Sequence, residues 1–373
     1  MSELIYWIWL AGKPGIGAAK GKALIEYFGT PENVYKSVYN DFRDIKGLNA
    51  NLVNELMDKN LSSSESTILK CKKPGYKILT MSDVEYPHRL RNIYDPPLVL
   101  YIRGTLPKID DMHVVGVVGT RRCTPYGVKN AETTGYKLSQ NGFVVVTGLA
   151  EGIDTAATRG ALRGITPTVG VIGSGPDLVF PAHNRKLFEE VASNGAVISE
   201  YSPGTPAVPS HFPSRNRIIS GLSNGVAVIE APARSGALIT TERAMEEGRD
   251  VFVLPGNVDA ATCVGSNRLL CEGAIPFITP DDIMAQYIVS HKSRKKPFDN
   301  NVAVDYIDLD KLTDKFDDNS KAIMKIVAKG LVTVDEIIEN TNIDAQKTLS
   351  ALTILELDGH LRRDIIGRWE INS

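Results

Sequence analysis

Six short apolar runs, VVGVVG, FVVVTG, TVGVIGSG, AVISE, GVAVIE and DVFVLPG, lie between Val114 and Gly256. They are rich in β-branched residues, too short for buried helices, and apolar without alternation. Such runs read as strands buried on both faces. Amphipathic stretches separate them. One begins at Thr124-Pro125, a good helix start with proline in the first turn, and stops at Asn141-Gly142. Others run from about Ile153 to Leu162 and around Arg185 to Ala192. Strands alternating with helices predict a parallel sheet covered on both faces, an extended Rossmann-like α/β fold. Right-handed crossovers then bring the turns that leave the strands to one edge. Those turns are GTRR, TGLAEGID, GSGPDLVFPAHNRK, EYSPG, EAPARSGAL and LPGN. The stretch His211 to Gly256 gives the pattern in miniature. A basic turn with Arg215, Asn216 and Arg217 opens a helix. After a strand, Arg234, Ser235 and Gly236 open another.

The flanks are different in kind. At 373 residues the chain calls for two or three domains. Residues 1–72 read as an N-terminal helical domain, 73–289 as the Rossmann-like domain, 290–319 as a polar, charge-segregated linker, and 320–373 as a second small domain. In the first of these, PGIGAAKGKALIEYFG and the weaker IKGLNANLVNELMDKN look like paired helix-hairpin-helix motifs, whose helix N-termini can face phosphate. The same residues fit a small helical bundle that uses glycine at tight turns. The segment YKILTMSDVEYPHRLRNIYDPPLVLYIRG is a lead-in that ends in a strand and carries no chemistry of its own. The last domain has three helices and a short hairpin, a winged-helix arrangement. Its helix Ala345–Leu357 stands where a recognition helix would, yet Lys347 is its one cation, which favours a protein-contact or packing role over DNA reading.

A net charge of −2 argues against a wholly basic surface but not against a local basic track. No apolar run approaches the ~20 residues that cross a bilayer, so no membrane partner is expected. The opening MSELIYWIWLAGKPGIG has neither a basic region nor a cleavage pattern, and the four cysteines form no CxxC pair. Both point to a cytoplasmic protein with reduced thiols. The six histidines show no metal spacing.

The turns narrow the chemistry further. Gly116 to Gly119 and Gly173-Ser174-Gly175 each begin a glycine pattern, but neither completes GxGxxG, and GxxxxGK[ST] is absent. Nicotinamide enzymes and P-loop NTPases are therefore disfavoured, and no cofactor is expected. Phosphate-backbone binding fits better. Gly119, Thr120, Arg121 and Arg122 follow the first strand, and Gly148 lies in the second turn. Gly173 ends the third strand, and Asn184, Arg185 and Lys186 open the helix after it. Arg215, Asn216 and Arg217 with Arg234, Ser235 and Gly236 complete the set. Arg grips two phosphate oxygens with its planar fork. Phe180, Tyr201 and Phe212 flank these turns, and aromatics beside cations suit single-stranded nucleic acid, where bases stack. Core packing accounts equally well for Phe180 and Phe212. Glu242 in SGALITTE, near Arg234, offers a general base for a hydrolase; a phosphoribohydrolase acting on nucleotides is the alternative reading.

VVGVVGTRRCTPYG, VVVTGLAEGIDTAA, VIGSGPDLVFPAHNRKL, ISEYSPG, HFPSRNRIISGLS and EAPARSGALITTERAMEEGRDVFVLPG, in this order, resemble the DNA-processing protein A (DprA, also Smf) family over roughly residues 80–285. The resemblance implies a non-enzymatic protein that binds single-stranded DNA on its Rossmann-like domain. It also implies a homodimer that loads the RecA recombinase during natural transformation. On the family's pattern, Arg121 takes the place of the arginine in its G-S/T-R turn, and Arg215 and Arg217 those of its R-N-R segment. The chain departs at Phe180-Pro181-Ala182-His183-Asn184, where relatives commonly carry a cation at the position of Ala182. Arg185 and Lys186 are left to supply that charge.

Overall fold

The computed structural model describes residues 3–293, 317–327, 333–341, 343–363 and 369–371. They fall into two compact units, Met1–Arg294 and Lys295–Ser373. Most of the expected linker, residues 294–316, lies outside the described residues.

The first unit opens with α1 (Leu4–Ala11), α2 (Ala18–Phe28), α3 (Pro31–Lys36), α4 (Ala50–Met57) and α5 (Ser62–Cys71). Then follow β1 (Tyr76–Thr80), α6 (His88–Arg91), β2 (Val99–Gly104), β3 (Val114–Val118), α7 (Pro125–Gln140), β4 (Val144–Thr147), α8 (Ile153–Ala161) and β5 (Thr168–Ile172). The rest is α9 (Arg185–Asn194), β6 (Ala196–Ser199), α10 (His211–Leu222), β7 (Gly225–Val228), α11 (Gly236–Glu246), β8 (Asp250–Val253), α12 (Val264–Cys271), β9 (Ile275–Pro276) and α13 (Pro280–Ser293). The strands form one nine-stranded sheet in the order β1-β2-β6-β5-β4-β3-β7-β8-β9. From β6 to β9 every pairing is parallel. The lead-in segment does more than its sequence suggests. Its β1 and β2 extend the sheet in antiparallel register beyond β6, so the sheet is mixed at that edge.

Period-two geometry explains why the strands are apolar throughout. Val114 and Val118 pack with Val144, Val226 and Val228 and with Ile218, Ile219 and Leu222 of α10 on one face. Val115 and Val117 pack on the other with Val145, with Ala131 and Leu138 of α7, and with Ala156 and Ala157 of α8. Thr124 caps α7 by accepting a hydrogen bond from the Gly127 N–H, as Thr-Pro at a helix start foretells.

The five N-terminal helices do not pack as a separate domain. Trp7, Trp9, Leu10 and Leu24 share one core with Leu98, Val99 and Tyr101 of the sheet edge. Lys13, in the first hairpin, is buried, and its ammonium donates to the carbonyl and carboxylate of Asp58. The second unit contains α14 (Asp318–Val327), α15 (Val334–Thr341), α16 (Ala345–Leu357) and an antiparallel hairpin of β10 (Leu361–Arg363) and β11 (Trp369–Ile371). Ile323, Met324, Leu352, Leu355 and Trp369 form its core. Among the described residues no helix is long and apolar enough to cross a membrane.

Candidate nucleic-acid interface

The chain winds outward in one direction from β3 to β4, β5 and β6, then returns to start again at β7 beside β3. Where winding reverses, the turns leaving two adjacent strands diverge and open a crevice at their carboxyl ends. A cleft of about 750 Å³ lies there. Thr120, Arg121 and Arg122 after β3 form one wall, and Arg234, Ser235 and Gly236 after β7 form another. Phe180, Phe212 and Arg215 also line it. Arg121, Arg122 and Arg234 are exposed. The Arg121 guanidinium stands 5.0 Å over the Phe212 ring, and Phe212 lies 5.6 Å from Phe180, centroid to centroid. Phe180 is 51% exposed, so part of its ring is free for another flat group.

Two strand-end turns are braced by one carboxylate. Glu230, almost fully buried, accepts from the backbone N–H and hydroxyl of Thr124 at 2.9 and 2.6 Å. Thr120 N–H donates to the Glu230 carbonyl at 2.7 Å, and Thr120 Oγ1 accepts from Arg122 N–H. On the opposite wall Ser235 Oγ accepts from the Ala237 N–H and caps α11. A Cβ on Gly236 would meet nothing within 4 Å, so this backbone is open to a ligand.

The segment Arg215-Asn216-Arg217 departs from the expected turn. Helix α10 begins at His211, so all three residues lie inside it, and all three are buried. Arg215 Nη1 donates to the carbonyls of Gly148 (2.7 Å) and Val171, and its Nε to Asn216 Oδ1. Asn216 in turn donates to the Gly236 carbonyl at 3.2 Å, which ties α10 to the start of α11. Burial lowers the Arg215 pKa to about 10, with Asp154 pulling the other way, so the group stays charged at neutral pH. It is a cation in the cleft floor with its donors largely spent. Arg217 lies outside the cleft. It donates to Glu200 at 2.7 Å and pairs with Asp95 at 3.1 Å. Burial alone would lower its pKa, but Glu200 and Asp95 outweigh it and raise it. A buried, doubly paired guanidinium braces the fold.

Gly148 serves this floor by being small. A Cβ there would fall 2.5 Å from Arg215 Nη2 and 2.6 Å from Asp154 Oδ2. Asp154 accepts the Gly148 N–H at 3.0 Å; burial raises its pKa, and Arg215 opposes that rise. The next residue, Leu149, takes a φ of +51°, a conformation that costs a side-chain-bearing residue on the order of 1 kcal/mol. In the sequence Asp154 is a carboxylate with a helix-cap explanation, and nothing there marks Leu149. Gly173 is covered, with His211 Nδ1 3.0 Å from its carbonyl and the His211 ring stacked on Tyr201 at 3.8 Å. Asn184 is buried and donates to the Leu149 carbonyl and to Thr155 Oγ1. Arg185 and Lys186 are exposed but do not line this cleft. Nor does Glu242, the base that a hydrolase would need, so the phosphoribohydrolase reading has no geometry here to support it.

A model of the family described as DNA recombination-mediator protein A matches residues 77–288, which includes every strand of the sheet beyond the first residue of β1. The chain belongs to that family. The family's DprA winged helix domain matches residues 310–364, the greater part of the second unit. Among relatives, the DNA processing protein DprA of Streptococcus pneumoniae is 39% identical over 285 residues, 76% of this chain and 98% of the relative. Protein Smf of Synechocystis is 35% identical over 288 residues, 76% of this chain and 72% of the relative. The X-ray structure of DprA from Streptococcus pneumoniae superposes with a TM-score of 0.66 at 36% identity, covering 77% of this chain and 98% of that one. The DNA processing protein A of Helicobacter pylori, solved for its single-stranded DNA binding mode, gives a TM-score of 0.52 at 30% identity over 58% of this chain and 96% of that one.

Proposed function

We propose that this DprA-family protein processes DNA by holding a single strand in the cleft at the carboxyl edge of its sheet and passing it to the RecA recombinase. On this reading it acts without covalent chemistry, as a homodimer in the cytoplasm, during natural transformation. The observation that carries the proposal is the convergence of Arg121, Arg122 and Arg234 with the Phe180–Phe212 pair around one cleft. Cations track a phosphate backbone, and partly exposed aromatic faces accept bases of any sequence. Arg121, Arg122 and Arg234 make the phosphate contacts, and Arg215 adds charge from beneath. The kinship with the Helicobacter pylori protein and its single-stranded DNA binding mode supports the same choice.

The test is a single-strand titration against salt. Each phosphate contact on a single strand contributes about −0.7 to the slope of log affinity against log salt. Arg121→Glu and Arg234→Glu should each flatten that slope by about this amount without lowering the melting temperature. Arg217→Glu should instead destabilise the fold by about 3–5 kcal/mol, because it replaces a buried cation by a carboxylate facing the half-buried Asp95 and Glu200. Wild-type affinity and slope in both cleft variants would overturn the assignment. Delivery to RecA is read separately, by the rate of filament assembly on strand already covered by this protein.

A further inference from the structure

We propose that the groove between α8 and α9 is a second phosphate-binding track, taking the DNA strand where it leaves the cleft; the proposal rests on the single-strand reading above. The groove encloses about 550 Å³ and is lined by Arg159, Leu162, Arg163, Lys186 and Glu190. In the sequence Lys186 belongs with the strand-end turns, and no motif marks Arg159 or Arg163. The fold instead gathers these three side chains along one channel.

Their charges are available. Arg163 keeps 60% and Lys186 92% of its side chain exposed, and Arg159 is exposed with no ion-pair partner among the described residues. The carboxylates nearby hold them weakly: Glu132 is 3.9 Å from Arg163 and Glu190 3.7 Å from Lys186. Exposed pairs of this kind are screened by solvent and readily exchanged for a phosphate. Glu189 is already taken by Arg103. Of the side chains lining the groove, Arg159, Arg163 and Lys186 outnumber Glu189 and Glu190, which leaves its surface positive.

Continuity with the cleft points to a strand rather than to an unrelated anion. Asp154 lines the cleft and Arg159 the groove, five residues further along α8 and so about 7.5 Å along its axis. The other wall makes the same passage, since Phe180 lines the cleft and Lys186 the groove. Asn184, held by Leu149 and Thr155, fixes that segment against the start of α8. The half-buried Leu162 gives the groove an apolar patch against which unpaired bases can rest.

Length dependence tests the track. Fluorescence anisotropy is measured on the full chain with oligothymidylates of about 5 nucleotides, short enough to stay in the cleft, and about 20, long enough to reach the groove. Arg159→Glu with Arg163→Glu should weaken the long strand roughly tenfold at low salt and flatten its slope by about 1.4, two contacts at about 0.7 each. The short strand, confined to the cleft, should bind as it does to wild type. Arg159→Gln with Arg163→Gln should shift the long strand in the same direction, with an unchanged melting temperature to show that the fold is intact. Equal loss on both lengths, or no loss on the long strand in a folded variant, would overturn the track. If Arg121→Glu weakens both lengths while the groove variants weaken neither, the cleft reading stands and the track falls. If wild type binds neither length, the single-strand reading itself fails.

Discussion

Arg215 and Arg217 sit two positions apart on one helix, and the tertiary structure gives them different work. Arg215 turns toward Gly148 and Val171 under the cleft, while Arg217 turns toward Asp95 and Glu200 on the far side. Beyond Arg217, α10 meets Glu247, whose carboxyl faces Ser220, Arg249 and Asp95. Burial pushes its pKa from 4.5 up to about 7, Ser220 and Arg249 oppose the rise, and Asp95 adds to it. Its folded pKa is the higher one, so its contribution to stability is complete below pH 4.5 and is lost as pH rises through about 7. Glu247→Gln should therefore flatten the fall in melting temperature across that interval and raise stability above it. A variant whose melting temperature falls as steeply as wild type would show that Glu247 does not titrate there.

At the scale of elements, the site depends on how closely α7 and α8 approach. Gly160 makes this possible: a Cβ there would fall 2.8 Å from the Glu132 carbonyl carbon and 3.0 Å from its Cα, both of them backbone. Backbone cannot swing aside as a side chain can, so a larger residue must push the helices apart. Gly160→Val should cost about 1–3 kcal/mol in urea unfolding. Because α8 carries Asp154 at one end and Arg159 near the other, single-strand affinity should fall with it. Full stability in this variant would mean that the helices can part without penalty. The sequence makes α7 and α8 visible as separate helices through the Thr124-Pro125 start of α7 and the apolar spacing of both. Their mutual approach depends on a glycine that in an isolated helix only weakens it.

For the whole molecule, the two units differ in what their loss would do. Removing residues 1–72 would strip α1 to α5 from Leu98, Val99 and Tyr101, which then face water. That truncation should melt lower than the full chain and aggregate. Removing residues 295–373 takes away a unit with its own core, and the remaining chain should melt unchanged and hold a short single strand within about twofold of wild type. Calorimetry and anisotropy on the two truncations distinguish these outcomes, and a drop in melting temperature in the second would show that the units stabilise each other. The winged-helix unit offers its own surface, with Leu349, Ile354 and Leu357 exposed on α16.

The sequence by itself determined the alternation of strand and helix, the helix starts at Thr124 and Ser235, and the edge to which Arg121 and Arg234 belong. Each of these is set by residues within a turn or two of one another, or by a topology rule with few exceptions. Tertiary structure alone decided which cations face the cleft. Whether an arginine reaches solvent depends on partners far along the chain. Arg215 finds Gly148 and Val171, Arg217 finds Asp95 and Glu200, and Lys186 joins Arg159 and Arg163 in another groove. A basic motif announces charge; only packing determines whether that charge is spent inside the fold or offered to a ligand.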